Sequence, residues 1–456
     1  MIKRSALALG LALAALIAPL CAATAQQGQR LSLIRDAEIE STIRTFVTPI
    51  WRVAGLNPDA VDIIIVQDNS LNAFVANGQR IFLNTGLLMR TERPNQLIGV
   101  LAHETRHIAG GHLARAQEEL RSLSTLQIIE MILAGGAMAG SAGAGAGTGR
   151  SVTSAGGGTM APPSIMSFLK YTQTQENSAD QAAITYLERT QQSPKGSIEF
   201  LRVLQQRERM TIGRGEPYLT THPLTNERIS AFEQAAARSQ YANAPDSQRF
   251  IDLHGRMVAK LMGFIAPEAA LQRYSEADRS VVARYARAIA LYRKADLGSA
   301  LLTLDGLIKE YPSDPYFHEL RGQALYENRR AAEGVVSYRR AVQLLPGSGL
   351  LKIDFARVLL ETNNAENDRE AIRNLELASN SETESFELWR LMSVGYARLN
   401  NPGMTSLARA EMAILRGQRT EATAHAAAAE RGLQAGTPAW QRAQDIKAFI
   451  ASRPKR

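Results

Sequence analysis

The pentapeptide His103-Glu104-Thr105-Arg106-His107 constrains this chain more than any other stretch, because on a helix its two histidines can bind one metal ion. Residues four apart share a helix face, so both imidazoles would point to the same side. Glu104 follows the first histidine and could act as a general base toward a water molecule at the metal. The pattern predicts a hydrolytic zinc site with two of its ligands. A third ligand must come from elsewhere.

The flanking sequence predicts a buried helix around this pattern. Residues 95–102 are apolar and helix-compatible, Pro94 suits a first helical turn, and Gly110-Gly111 suits a helix end. The pentapeptide pattern also occurs by chance in unrelated helices, where it forms a solvated surface turn. The apolar run favours metal binding over that alternative.

Two schemes for the third ligand can be compared by counting. One requires a histidine six residues after the second motif histidine, with a glycine midway; Gly110 fits, but position 113 is Leu113 and the histidine is His112. The other takes a glutamate from a second helix, where Glu176 and Asp180 are four residues apart. Glu176 could bind the metal while Asp180 accepts the free ring N–H of a histidine. Two solvated surface carboxylates are the alternative for this pair.

These motifs, with His222-Pro223 and Arg228 further along, resemble the M48 family of zinc metallopeptidases over roughly residues 33–240. The resemblance implies a zincin-type, gluzincin-like metalloprotease domain of the α+β class, mostly helical with a small sheet. It also implies one Zn²⁺ ion per chain and endopeptidase activity.

The resemblance implies a role for each site residue. Glu176 would be the third zinc ligand, with Glu104 as the base. Arg228 would stabilise the anionic tetrahedral intermediate, for which a guanidinium is well suited. His222 would be a fourth, displaceable ligand that silences the enzyme at rest; an ordinary loop histidine before a proline is the alternative.

A hairpin is predicted upstream of the histidine helix. Residues 72–76 and 80–84 are short β-prone runs on either side of Asn77-Gly78, a strong turn signal. Peptidases commonly hold an extended peptide by adding it as a strand to a sheet edge. The run that begins Asn72-Ala73 resembles the edge strand that lines the cleft in gluzincin-type enzymes, which implies substrate contact by both residues. A purely structural hairpin is the alternative.

Residues 1–25 predict export. They contain Lys3-Arg4, an Ala/Leu-rich stretch and a small-x-small end at Ala25, as in a secretory signal peptide. The only cysteine, Cys21, lies within them, so the mature chain would have no disulfide. With the resemblance to periplasmic members of the family, this segment predicts a periplasmic protein.

Charge and hydropathy exclude some partners. The formal net charge of +8 falls by two with the signal peptide, and the remaining basic excess is spread along the chain, which argues against nucleic-acid binding. Residues 126–139 are apolar but contain Glu130 and are shorter than the ~20 residues of a membrane span.

Residues 134–163 are rich in glycine and predict a mobile loop, either a lid over the cleft or a passive insertion.

The carboxyl-terminal half predicts helical repeats. Ala288, Ala300 and Pro312 occupy the small-residue and proline positions of a tetratricopeptide repeat (TPR), and glycine, glycine and proline recur at these positions 34 residues later. We expect four repeats, one of them with a short insertion at 363–369, and a fifth helical pair from about Glu421. The domains would be the signal peptide at 1–25, the metalloprotease at 26–265 and an all-α TPR solenoid at 270–456.

Two functions from different classes follow. The first is a periplasmic zinc endopeptidase whose solenoid recognises unfolded or misassembled proteins. Its full architecture resembles periplasmic quality-control members of the family, which implies stalled outer-membrane proteins as substrates and contact with the barrel-assembly machinery. The second is a periplasmic chaperone or scaffold in which His222 closes a mainly structural zinc site.

Overall fold

The computed structural model describes residues 32–76, 79–111, 163–210, 222 and 225–452. Several sequence predictions fall outside these residues. They are the signal peptide, the Asn77-Gly78 turn, His112, and the glycine-rich segment up to residue 162.

A small sheet and eight helices make up the amino-terminal part of the described chain. The strands are β1 (Leu33–Ile34), β2 (Asp62–Val66), β3 (Ala73–Ala76) and β4 (Arg80–Asn84). The helices are α1 (Ala37–Val53), α2 (Thr85–Arg90), α3 (Pro94–Ala109), α4 (Pro163–Arg189), α5 (Lys195–Met210), α6 (Asn226–Arg238), α7 (Gln248–Ile265) and α8 (Pro267–Arg273), with a 3-10 turn at Pro58–Ala60. This mostly helical α+β domain with a small sheet confirms the predicted fold class.

The sheet has the order β1-β2-β4-β3. Strands β2 and β4 are parallel, and the two outer strands run antiparallel to their neighbours. The predicted hairpin is confirmed, because β3 pairs with β4 so that Ala73 lies opposite Leu83 and Ala76 opposite Arg80. Strand β3 is an edge strand with one neighbour among the described residues.

Helix α3 lies in the interior of this domain. Pro94 occupies the first helical turn, every residue from Pro94 to Thr105 is buried, and Gly110 caps the end of the helix, as the sequence predicted. An apolar helix of this kind is stabilised by burial on all sides, and α3 packs against α1, α4, α5 and β3. The histidine motif is thus held within the core.

The first turns of α3 and α5 approach very closely. The side chain of Asn95 accepts a hydrogen bond from the N–H of Gly196 at 2.8 Å. A Cβ atom at Gly196 would lie 2.4 Å from the backbone oxygen of Asn95, which explains why glycine is needed there. This contact fixes α3 against α5.

Five consecutive helix pairs follow, and each helix packs against the next. They are α9 (Val281–Arg293) with α10 (Leu297–Glu310), α11 (Pro315–Glu327) with α12 (Ala331–Leu344), α13 (Gly349–Glu361) with α14 (Ala365–Ala378), α15 (Phe386–Arg398) with α16 (Pro402–Leu415), and α17 (Arg419–Gly432) with α18 (Pro438–Ala451). Ala288 and Ala300 are fully buried where the first pair meets. The pairs form the predicted all-α TPR array.

The expected insertion at 363–369 is wrong. Residues 362–364 join α13 to α14, a connection as short as the one at 294–296 in the first pair. The extra residues lie instead between α14 and α15, where residues 379–385 replace the four-residue connection seen at 345–348. The insertion was predicted at the wrong place because Thr362 and Asn363 look like loop residues. Asn364, which follows them, is the N-cap of α14.

The array packs on the start of α1 through a buried cluster of charges. Glu38 accepts hydrogen bonds from the Tyr285 hydroxyl at 2.7 Å and forms an ion pair with Arg256 at 2.6 Å. Lys260 pairs with Asp36 at 2.8 Å and with Glu38 at 3.3 Å. Pairing of this kind offsets the cost of burying charges. The cluster is called the α1 anchor below.

No helix among the described residues has the length and apolar character needed to cross a membrane.

Candidate metal centre

Four potential metal ligands converge in the interior of the amino-terminal domain. His103 and His107 lie on α3, Glu176 lies on α4, and His222 precedes α6. One ligand atom of each lies within 4.8 Å of the others. His107 is partly exposed and the other three side chains are buried. Side chains from two helices and from the residue that precedes a third helix thus converge on one point.

The distances between these atoms fit a shared metal ion. Nε2 of His103 lies 3.2 Å from Nε2 of His107, 3.3 Å from Nδ1 of His222 and 3.2 Å from Oε2 of Glu176. Oε1 of Glu176 lies 3.3 Å from Nε2 of His107 and 3.0 Å from Nδ1 of His222. Ligand atoms about 2.0–2.1 Å from a tetrahedral metal are about 3.3 Å from one another. The donor set of three imidazoles and one carboxylate is also appropriate for such an ion.

Asp180 and Arg228 form a polar layer behind the ligands. Oδ1 of Asp180 lies 2.9 Å from Nδ1 of His103. Arg228 donates from Nε and Nη2 to the two oxygens of Asp180, at 2.6 and 2.9 Å. Nη1 of Arg228 is 3.2 Å from Oε2 of Glu176. The guanidinium therefore neutralises both carboxylates and orients them toward the histidines.

Glu104 is buried beside the cluster without ligating it. Its side chain is 0% exposed, and neither carboxylate oxygen has a hydrogen-bond partner among the described residues. Its Oε1 lies 3.5 Å from Nε2 of His222. Burial raises the pKa of Glu104 to about 7. A carboxylate with a pKa near neutrality is suited to accept and release a proton.

The charges of the cluster perturb its titration. Burial disfavours the charged form of His103, but Glu176 and Asp180 outweigh it and raise the pKa of His103 to about 10. Burial lowers the pKa of both His107 and His222. Glu176 has a pKa well below its ordinary value, because the neighbouring His103 and His222 outweigh the effect of burial. A metal binds the neutral form of an imidazole and the ionised form of a carboxylate, so a metal at His103 would displace the proton of its Nε2.

The proposed substrate residues lie on the edge of the sheet. Ala73 opens β3 and is buried, and the carbonyl of Asn72 accepts the N–H of Asn84 at 3.0 Å. The side-chain oxygen of Asn72 is buried and has no hydrogen-bond partner among the described residues. Helix α3 packs against β3. The edge strand thus runs beside the helix that carries the histidine motif.

The structure brings together all the residues that the sequence named for the centre: His103, Glu104, His107, Glu176, Asp180, His222 and Arg228. The pairing of Arg228 with Asp180 was not predicted, because the two residues are 48 positions apart and share no motif. The assignment of Arg228 as a stabiliser of the intermediate stays a prediction. His112, the rejected third-ligand candidate, lies outside the described residues.

Comparison with known proteins agrees with this geometry. Residues 34–236 match the family model described as Peptidase family M48. The chain contains an M48 peptidase domain. It is therefore a metallopeptidase, with its candidate metal ligands inside the matched residues. The M48 domain includes the sheet, α1 to α5 and most of α6.

Relatives extend the similarity into the helical array. A Vibrio cholerae protein is 26% identical over 361 residues, which cover 77% of this chain and 71% of the relative. The "Beta-barrel assembly-enhancing protease" of Yersinia pestis is 26% identical and covers 78% of this chain and 72% of its own length. The Escherichia coli protein of the same name is 23% identical, with coverages of 82% and 75%.

Proposed function

We propose that this protein is a zinc-dependent endopeptidase of the periplasm that acts in quality control of misfolded or stalled outer-membrane proteins. The proposal of endopeptidase activity rests on Glu104. This carboxylate is fully buried, has no hydrogen-bond partner among the described residues, and lies beside four side chains that could bind a metal. Burial of an unpaired carboxylate is costly. A catalytic base next to the metal gives a reason for that cost.

His103, His107 and Glu176 would hold the zinc ion. When bound, the ion lowers the pKa of a water molecule toward ~7 and polarises the scissile carbonyl. Glu104 accepts the proton of the attacking water at a carboxylate oxygen and can return it to the leaving amine. Asp180 accepts the Nδ1–H of His103, which directs the Nε2 lone pair toward the ligand cluster.

The substrate would bind as an extended strand. The outer side of β3 supplies main-chain groups to a peptide, and pairing through the main chain tolerates many side chains. Asn72, just before β3, and Ala73, the first residue of β3, would lie alongside such a peptide. Arg228 would stabilise negative charge on the tetrahedral intermediate.

His222 would keep the enzyme latent. Nδ1 of His222 lies 3.0 Å from Glu176 and 3.3 Å from His103, as a fourth ligand would. A catalytic zinc site needs this fourth position for water or substrate, whereas four protein ligands are typical of structural sites. His222 must therefore move away before cleavage. It precedes α6 and is not itself part of a helix or strand.

The compartment and client are inferred from the relatives and the array. The relatives are named for enhancing β-barrel assembly, and the predicted signal peptide would export this chain to the periplasm. TPR arrays bind proteins through their curved surface. The array would thus contact unfolded or misassembled substrates and the barrel-assembly machinery.

The closed arrangement around His222 favours a second candidate, a chaperone or scaffold with a structural zinc site. Glu104→Gln distinguishes the two functions. If the protein is an endopeptidase, this variant should bind zinc as tightly as the parent but should no longer cleave an unfolded outer-membrane protein. Glu333→Gln, which changes an exposed residue of the array, is the control and should cleave normally. Undiminished cleavage by Glu104→Gln would reject the proposed mechanism.

A further inference from the structure

A second contact joins the array to the peptidase domain through the connection between α14 and α15. Arg80 donates to Glu384 at 2.7 Å, and Arg35 donates to Glu382 at 2.9 Å. Both glutamates lie in residues 379–385, the connection that contains the extra residues of the array. The residues that break the 34-residue period are therefore the ones that reach the sheet.

The array fixes the shape of this inserted loop. The indole N–H of Trp389, on α15, donates to the carbonyl of Thr383 at 2.9 Å. The loop also covers the start of α13 so closely that a Cβ atom at Gly349 would lie 2.5 Å from the hydroxyl of Ser381. Thr383 lies between the two glutamates. They are thus presented to the sheet by a loop whose backbone is held in place.

On the sheet, the contact is made where the hairpin turns. Arg80 is the first residue of β4 and lies opposite Ala76, the last residue of β3. Its Nε also donates to Asp62, the first residue of β2, at 3.2 Å. Strand β3 is paired over four residues and on one side only, within the described residues. Its position therefore depends on β4, whose first residue is tied to the array through Glu384.

We infer that Arg80 and Glu384 are positioning residues for the peptidase reaction, because their ion pair holds the hairpin in the place where β3 receives a substrate strand. This inference rests on the proposed addition of substrate to β3. Exposed ion pairs contribute little to global stability, and Glu384 is 70% exposed. The pair can nevertheless bias the position of a short edge hairpin. It affects the binding of an extended peptide and leaves the metal centre unchanged.

Glu384→Lys tests the inference because it places two cations together at the hairpin. We expect KM for an unfolded protein substrate to rise about 2- to 5-fold, the range that corresponds to the loss of an exposed ion pair, with kcat unchanged. Amide hydrogen exchange in 73–76 and 80–84 should accelerate. Glu333→Lys breaks an exposed ion pair with Arg330 elsewhere in the array and is the matched control. It should alter neither quantity.

A double-mutant cycle with Arg80→Glu identifies the pair itself. Glu384→Lys and Arg80→Glu should each raise KM, and the double variant should recover part of the loss, because it restores opposite charges. Additive effects, a change in kcat alone, or exchange rates equal to those of Glu333→Lys would overturn the inference. Hydrogen exchange does not depend on catalysis. It decides the role of the pair even if Glu104→Gln shows that the proposed peptidase mechanism is wrong.

Discussion

Oδ1 of Asp180 lies 2.9 Å from Nδ1 of His103, on the side of the imidazole that faces away from the other candidate ligands. A hydrogen bond there keeps the proton on Nδ1 and leaves the lone pair of Nε2 for a metal. The same carboxylate is held by two hydrogen bonds from Arg228. The orientation of His103 is thus controlled from α4 and α6 together.

Asp180→Ala should weaken zinc binding about 10- to 100-fold, because it removes the acceptor that orients His103. Asp180→Asn retains an acceptor oxygen and should lose less affinity. Competition with a chromophoric chelator measures both constants. Asp305→Ala, which removes an exposed carboxylate that pairs with Arg321 in the array, is the control. Equal affinities for all variants would contradict a role for Asp180 in the metal centre.

His222→Ala should raise basal proteolysis and weaken zinc binding at the same time. The substitution removes a fourth donor and opens the position that a substrate or water needs. The rate of casein cleavage at saturating zinc and the zinc dissociation constant are the two measurements. His318→Ala, at a half-buried position in the array, should change neither. If cleavage falls while zinc binding is unchanged, His222 has a catalytic role and is not an inhibitor.

The histidine helix and its partners were predictable from sequence because they obey short-range rules. The H-E-x-x-H spacing fixes a helix face, Pro94 and Gly110 mark its limits, and the 34-residue period identifies the array. Glu176 was found because helical spacing links it to Asp180. Each of these signals lies within a few residues or repeats at a fixed interval.

Other features depend on long-range packing and left no local pattern. The ion pair of Arg228 with Asp180 and the contacts of Glu38 with Arg256 join residues far apart in sequence. The insertion was misplaced because a helix cap at Asn364 resembles a loop, whereas residues 379–385 were not distinguished from an ordinary connection between repeats. Only the folded chain reveals which loop is held against another domain.

Gly196→Ala should destabilise the peptidase domain by about 1–3 kcal/mol, because the new Cβ would meet the backbone of Asn95 at 2.4 Å and a backbone atom cannot rotate away. The shift would displace α3 and reduce zinc affinity as well. Gly306→Ala is the matched control, since its Cβ would meet no atom within 4 Å and alanine favours the helical state. Thermal unfolding with and without zinc measures the effect. An unchanged melting temperature for Gly196→Ala would show that α5 can move without loss.

Glu319→Gln should stabilise the protein at pH 8 but not at pH 4. Burial raises the pKa of Glu319 to about 8, since Lys260 is shared with Asp36 and Glu38 while Asp354 adds further repulsion. The folded state therefore retains a proton that the unfolded chain releases near its ordinary pKa, and stability falls as pH rises from about 4 to 8. Glutamine cannot ionise and avoids this loss, which we expect to exceed ~1 kcal/mol at pH 8. Thermal unfolding of both proteins at pH 4, 6 and 8 measures the difference. A difference that is independent of pH would mean that Glu319 titrates at its ordinary value.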